Sequence, residues 1–236
     1  MQTQVAIIIG GTSGIGLETG KLLAAHGLRA IVTGRDAEKA ARVSHQYPDI
    51  EAKAVDAASV TSLKNLYDSI GRFDHLVLCV SGAKGAGEFP SLSETDVREG
   101  MEQKFFAQFR AAQLALPFLS KQGSVTFVSA ISARAANPGT AGLAAINGAI
   151  EAMVKPLARE LRPLRVNAVS PGVVETPWWD RLPAEVRGPI LERSAAATLV
   201  NRNGTATELA EAVSFVVCNG FVNGTVLELD GGLRLS

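Results

Sequence analysis

The sequence predicts an α/β fold, a doubly wound, seven-stranded, mostly parallel sheet with helices on both faces. Three observations carry that expectation. Short β-branched runs alternate with segments whose apolar residues recur at helical spacing, the pattern of strands joined by helical crossovers. The runs are rich in Val and Ile and lack strict polar alternation, as in a sheet covered on both sides. A glycine-rich turn follows the first run at once and opens a helix, the arrangement that receives phosphate on backbone N–H groups.

In chain order, strands are expected at Val5 to Ile9, Leu28 to Thr33, Ile50 to Val55, Leu76 to Val80, Ser124 to Val128, Arg165 to Val169 and Thr225 to Leu229. Helical periodicity runs through Leu17 to His26, Ala37 to His45 and Thr61 to Ile70, and a long helix is expected from about Ala141 to Leu161. That helix is rich in Ala and Gly, so another helix can approach it closely. Pro156 lacks an N–H and disturbs the bond to Ala152, which predicts a kink unless the helix ends earlier. No repeat, linker or compositional break divides the chain, so residues 1–236 read as one domain. The densest Pro and aromatic stretch, Pro177 to Pro189, is too short to separate domains and reads as part of a substrate lid over residues 177–200.

Composition narrows the function classes. Of 236 residues, 47% are hydrophobic and 19% charged, which excludes a disordered chain. Lys plus Arg and Asp plus Glu both number 23, so no global field draws the chain to nucleic acid or anionic lipid. Every apolar stretch is interrupted well short of the roughly 18 residues of a membrane span. The N-terminus lacks the basic region of a secretory signal. Cys79 and Cys218, the only cysteines, form neither a disulfide framework nor a zinc pattern, and a reducing cytoplasm is the expected compartment. No metal site is expected.

The turn reads Gly10-Gly11-Thr12-Ser13-Gly14-Ile15-Gly16. Its glycine spacing resembles that of the short-chain dehydrogenases/reductases, with Ile9 where that family usually has Thr. Further matches span the chain: Asp56 after the third strand, Arg165-Val166-Asn167-Ala168-Val169-Ser170-Pro171-Gly172, Val173-Val174-Glu175-Thr176-Pro177, and Asp230-Gly231-Gly232. The resemblance implies a Rossmann-like NAD(P)-binding oxidoreductase fold whose members are commonly homodimers or homotetramers, with the long helix as an oligomer interface. It places Gly10, Thr12, Ser13, Gly14, Ile15 and Gly16 around the phosphates, and Asp56 and Ala57 at the adenine. Cys79, Val80 and Ser81 then run beside the adenine ribose. Pro171, Gly172, Val174 and Thr176 border the nicotinamide, and Asn147 reaches its ribose. Only the last Gly of the usual Asn-Asn-Ala-Gly loop is kept, in Cys79-Val80-Ser81-Gly82. Cys79 reads as a strand residue rather than a nucleophile.

Gly34 holds the place where NAD-dependent relatives carry a carboxylate, and Arg35 follows it. A guanidinium there can bind a 2′-phosphate, so NADP(H) is expected over NAD(H). The other reading makes Arg35 a solvated loop residue beside Asp36, a helix cap.

The family works with a Tyr acid/base, a Lys, a Ser and an Asn. Aligned on Leu157-Ala158-Arg159-Glu160-Leu161, those positions hold Leu143 for Tyr, Asn147 for Lys, Ala130 for Ser and Lys104 for Asn. The only tyrosines, Tyr47 and Tyr67, precede this half of the chain, as do His26, His45 and His75. Lys155 lies two turns past Asn147, about 12 Å along the helix axis, and cannot stand in. Ser129 and Lys104 are the possible substitutes, and Lys104 equally reads as a cation filling polar space. Leu143 and Asn147, four apart, share one helix face. Hydride transfer to an activated acceptor, such as an iminium or enone, needs no strong acid.

Trp178 and Trp179 suit a flat substrate or cover the core or a subunit contact. Arg134 and Lys84 favour an anionic substrate or are solvated. Two functions remain: an NADP(H)-dependent oxidoreductase with a non-standard site acting on a small carbonyl, imine or enone, and a non-catalytic NADP(H)-binding sensor or supporting subunit. A lyase or dehalogenase fits less well, because the glycine loop is kept.

Overall fold

The computed structural model describes residues 3–236. Seven strands form one sheet: β1 (Val5–Ile9), β2 (Arg29–Gly34), β3 (Ile50–Ala54), β4 (Phe73–Leu78), β5 (Leu119–Val128), β6 (Arg165–Pro171) and β9 (Val226–Leu229). Their order is β3-β2-β1-β4-β5-β6-β9, and every pair is parallel. All seven expected strands are present, and the sheet is wholly parallel. A second ribbon, β7 (Val174–Glu175) with β8 (Gly204–Thr205), was not foreseen, because two residues leave no periodic signal. β5 begins five residues before Ser124, and β4 ends at Leu78, so Cys79 and Val80 lie past the strand.

Strand geometry divides the apolar residues between two cores. Successive side chains point to opposite faces. Ile7 and Ile9 therefore join Tyr67, Phe73, Phe127 and Ile150 under α3 (Val60–Ile70), α5 (Ala107–Ala115) and α6 (Ala141–Glu160). Ala6 and Ile8 join Leu23, Val213 and Val217 under α1 (Gly14–Ala25) and α8 (Ala206–Cys218). Caps fix where helices begin. Asp36 accepts from Lys39 N at the start of α2 (Ala37–Gln46), and Thr205 and Glu208 form a reciprocal capping box on α8. α6 runs without interruption from Ala141 to Glu160 with Pro156 inside it, so the helix does not end early. Among the described residues no helix is long and apolar enough to cross a membrane, and no cluster of His, Cys, Asp and Glu could hold a metal ion.

The N-terminal ends of the strands carry a buried polar group. Arg165 is 7% exposed and donates to Val216 O at 2.8 Å, Val217 O at 2.5 Å and Val222 O at 3.1 Å, satisfying carbonyls at and beyond the C-terminus of α8. His75 lies nearby with Nδ1 2.9 Å from Ser124 Oγ. Burial, with the Arg165 charge adding to it, pushes its pKa from 6.5 down to about 4. As pH falls, the unfolded chain takes up this proton before the folded one does. Stability is therefore full above about pH 6.5 and declines by roughly 3 kcal/mol between there and about pH 4. Urea unfolding of the wild type across that range should show the decline, and His75→Gln should flatten it. Arg165→Met leaves the Val216 and Val217 carbonyls without a donor, while Val222 O keeps Asn167 Nδ2, and should cost about 3 kcal/mol by the same measurement near neutral pH.

Candidate functional site

The strand order reverses between β1 and β4, and there the C-terminal strand ends open a crevice. The glycine turn lies across it. Gly10 N and Gly11 N donate to Thr33 O, and Gly10 takes φ +83°, a conformation glycine supplies without strain. A Cβ on Gly10 would lie 2.9 Å from the Cys79 carbonyl carbon, so the two chain segments meet backbone to backbone. A Cβ on Gly16 would lie 2.5 Å from Gly10 O, which is why the turn can fold back on the first turn of α1. Ser13 makes no side-chain cap bond, so its hydroxyl does not occupy the N–H groups that open α1. Gly14 faces the Thr176 side chain, which brings the 173–177 segment to the tip of the turn.

At the end of β2, a side chain on Gly34 would run into Thr12. Arg35 beyond it is exposed and has no ion pair among the described residues. Asp36 caps α2 as expected. Asp56 is exposed, and its carboxylate accepts from Ala58 N at 3.0 Å, closing the turn after β3, while Ala57 is buried. Cys79 is half-buried, not a full strand residue, and its surroundings push the thiol up to about 12. It remains a thiol at neutral pH.

Across the crevice, α4 (Glu94–Gly100) passes into a π-helical segment, Met101–Phe106, before α5. Such single wide turns re-aim side chains and recur at functional sites. This one buries Lys104, whose Nζ donates to Ser129 O at 2.9 Å. Burial holds its pKa at about 8, with Cys79 and Glu151 acting in the opposite direction. Two glutamines missed in the sequence brace the neighbouring loop. Gln103 accepts from Ala83 N, and Gln108 donates to Val80 O and Val128 O, tying the ends of β4 and β5 together.

Leu143, Asn147 and Glu151 stand on successive turns of α6. Asn147 is 3% exposed; its Nδ2 donates to Ser132 Oγ and Leu143 O, both at 3.0 Å, and its Oδ1 is buried without a donor. Leu143 O can only accept, so the amide is fixed in that orientation. The Ser129 hydroxyl donates to Glu151 Oε1 at 2.8 Å, as that of Ser170 does at 2.7 Å. Arg134 pairs with Glu151 Oε2 and Glu228, each at 2.9 Å, and Arg234 pairs with Glu228 and Asp230, each at 2.5 Å. Lys84 pairs with Asp96 at 2.8 Å, so neither Lys84 nor Arg134 is a free cation for a substrate. Glu151 was legible in principle, since it lies one turn beyond Asn147 on the same face.

Pro171, Gly172, Val174 and Thr176 follow β6 at the crevice edge. Trp179 is anchored there, its Nε1 donating to Val174 O at 2.9 Å. Trp178 meets it edge to face and carries the Arg181 guanidinium 3.0 Å from its ring centroid. Arg181 Nη1 also lies 3.5 Å from Gly82 O, across the mouth of the crevice.

This geometry has known counterparts. The family profile described as enoyl-(acyl carrier protein) reductase matches residues 10–234. The chain is 28% identical over 247 residues to the 3-oxoacyl-(acyl-carrier-protein) reductase of Thermotoga maritima, covering 99% of this chain and 98% of that one. It is 30% identical to glucose and ribitol dehydrogenase homolog 2 of Arabidopsis thaliana, covering 98% of this chain and 85% of the relative. A crystal structure of a small-chain dehydrogenase in complex with NADPH superposes with a TM-score of 0.86 at 30% identity, covering both chains fully. By its sheet order, its glycine turn and these matches, the chain belongs to the short-chain dehydrogenase/reductase family of oxidoreductases.

Proposed function

We propose that the protein is an NADP(H)-dependent oxidoreductase with a non-standard active site, acting on a small carbonyl, imine or enone. The observation that carries this reading is the backbone cradle at Gly10 and Gly16, which admits no Cβ and leaves N–H groups for a pyrophosphate. The residues fit a dinucleotide at three further points. Arg35 is free for a 2′-phosphate, and a carboxylate at Gly34 would collide with Thr12. Asn147 Oδ1 is an acceptor in want of a ribose hydroxyl. The NADPH-bound structural relative supports the phosphorylated cofactor.

When bound, the reduced nucleotide supplies hydride. The chain's own residues bind and orient. Asp56, Ala57, Cys79, Val80 and Ser81 line the adenosine half, and Thr12, Ser13 and Ile15 the phosphates. Pro171, Gly172, Val174 and Thr176 border the nicotinamide. Leu143 gives the substrate an apolar contact and no proton. Residues 177–200 form the lid, with Trp178 and Trp179 toward a flat substrate. The Ala- and Gly-rich α6 serves a homodimer or homotetramer, and the compartment is a reducing cytoplasm. The second reading, a non-catalytic NADP(H)-binding subunit, is favoured by Leu143 and Ala130, neither of which can exchange a proton.

Titration of the protein with NADPH and NADH, read by quenching of Trp178 and Trp179, should show preference for NADPH. Arg35→Ala should weaken NADPH on the order of tenfold and leave NADH unchanged. Failure of both nucleotides to bind would overturn the proposal. Leu143→Tyr with Asn147→Lys should raise turnover of a carbonyl panel about 100-fold or more, by supplying an acid. Turnover absent from both proteins despite tight NADPH binding favours the second reading.

A further inference from the structure

A polar cavity of about 470 Å³ opens at the N-terminal ends of the strands, at the opposite end of the parallel sheet from the glycine turn. Gln4, just before β1, lines it, whereas Gly10 follows β1. The extended chain between them sets the two sites about 20 Å apart. The cavity has the volume of a site for a small organic molecule. His75 and Arg165, 4% and 7% exposed, form its floor, and the exposed side chains of Gln4, His26, Gln122 and Cys218 stand around them.

Among the described residues no Asp or Glu lines this cavity, and no carboxylate pairs with Arg165. The guanidinium bonds go to carbonyls, three in all, and two of its five N–H groups are left over. The C-terminal end of α8 offsets about half a unit of its charge. Asp74, the acid that acts on His75, already accepts from Val5 N, and its pull on the imidazole is weaker than the push of Arg165. The field on the cavity floor is therefore positive. His75 Nδ1 lies 2.9 Å from Ser124 Oγ and His26 Nδ1 lies 3.2 Å from Ser214 Oγ, so each ring keeps Nε2 without a protein partner. When the two hydroxyls donate, both Nε2 atoms carry the proton and become donors. A cation would meet Arg165 with no acid to hold it, and among the described residues no cluster here could bind a metal ion.

We propose that this cavity binds a phosphomonoester, its phosphate held by Arg165, His75 and His26, with the Gln4 and Gln122 amides at the rim. The three main donors come from β6, from β4 and from the end of α1, so they approach a tetrahedral group from different sides. The oxyanion supplies the negative charge that the guanidinium lacks and accepts its left-over N–H groups. The volume beyond the phosphate takes the ester group. The charged and titratable groups around His75 are Arg165 on β6 and Asp74 on β4, with His26 after α1 and Cys218 at the end of α8. A bound anion favours the imidazolium of His75, so it raises that pKa from about 4 and reduces the loss of stability on acidification.

The probes are glycerol 3-phosphate, inorganic phosphate and acetate at constant ionic strength near neutral pH, read by the ring-proton NMR signals of His26, His45 and His75 and assigned with His26→Gln and His75→Gln. Glycerol 3-phosphate should move the His26 and His75 signals saturably and leave that of His45 in place. Inorganic phosphate should bind less tightly, and acetate about tenfold more weakly than the monoester. Gln122→Glu sets a carboxylate at the rim without touching the buried groups and should weaken the monoester about tenfold, with thermal unfolding to establish that the variant is folded. Arg35→Ala, at the other end of the sheet, should leave this affinity unchanged, which separates the cavity from the nucleotide crevice. In saturating monoester His75 should titrate at a pH at least about 1 higher than in chloride. Absence of a saturable shift at both histidines, acetate binding as tightly as the monoester, binding of inorganic phosphate alone, or an affinity unchanged in Gln122→Glu overturns the inference and leaves the nucleotide reading standing.

Discussion

The rest of the crevice depends on the backbone-to-backbone approach of Gly10 and Cys79 at the point where strand order reverses. The two neighbouring strands stay paired to their ends, and the chain leaves them toward opposite faces of the sheet, α1 on one side and α5 on the other. A single methyl group on the first glycine would press on the Cys79 carbonyl and on Val80 N. The glycine turn could then not lie flat, and α1 would not begin where its free N–H groups face the gap. Everything on the phosphate side inherits its place from this contact.

The other half of the crevice is held by polar groups rather than by a close backbone contact. Gln108 joins the ends of β4 and β5 through two carbonyls, Lys104 holds the next carbonyl along β5, and Glu151 gathers the hydroxyls at the ends of β5 and β6. Buried groups of this kind are costly when unpaired and rigid when paired. This half of the crevice thus rests on polar contacts from three successive places, α5 through Gln108, the π-helical segment through Lys104 and α6 through Glu151.

The sheet was legible in the sequence because its central strands are buried on both faces, so their composition differs sharply from that of the helices. The phosphate turn was legible because only glycine meets its geometry, and glycine is visible by name. The π-helical segment was not legible, since Met101–Phe106 has no composition that distinguishes it from an ordinary helix. The roles of Gln103, Gln108 and Ser170 depend on pairings between residues far apart in the chain, which periodicity does not encode. Ser129 was visible as a hydroxyl beside Ala130, and only the fold shows that it donates to Glu151. The cations Lys84 and Arg134 were visible as charges, and only the fold shows which acids neutralise them.

The segment α7 (Ala184–Ala197) has no buried residue, yet both its flanks are pinned. Trp179 holds the incoming chain to Val174, Leu199 N bonds Gly231 O at 2.8 Å, and Asn203 reaches Leu191 O at 3.0 Å. A stretch that contributes little to either core but is fixed at its ends can exchange its sequence at low thermodynamic risk. Selection, or a protein engineer, can therefore rewrite these fourteen positions as a cassette while the scaffold that holds them stays the same.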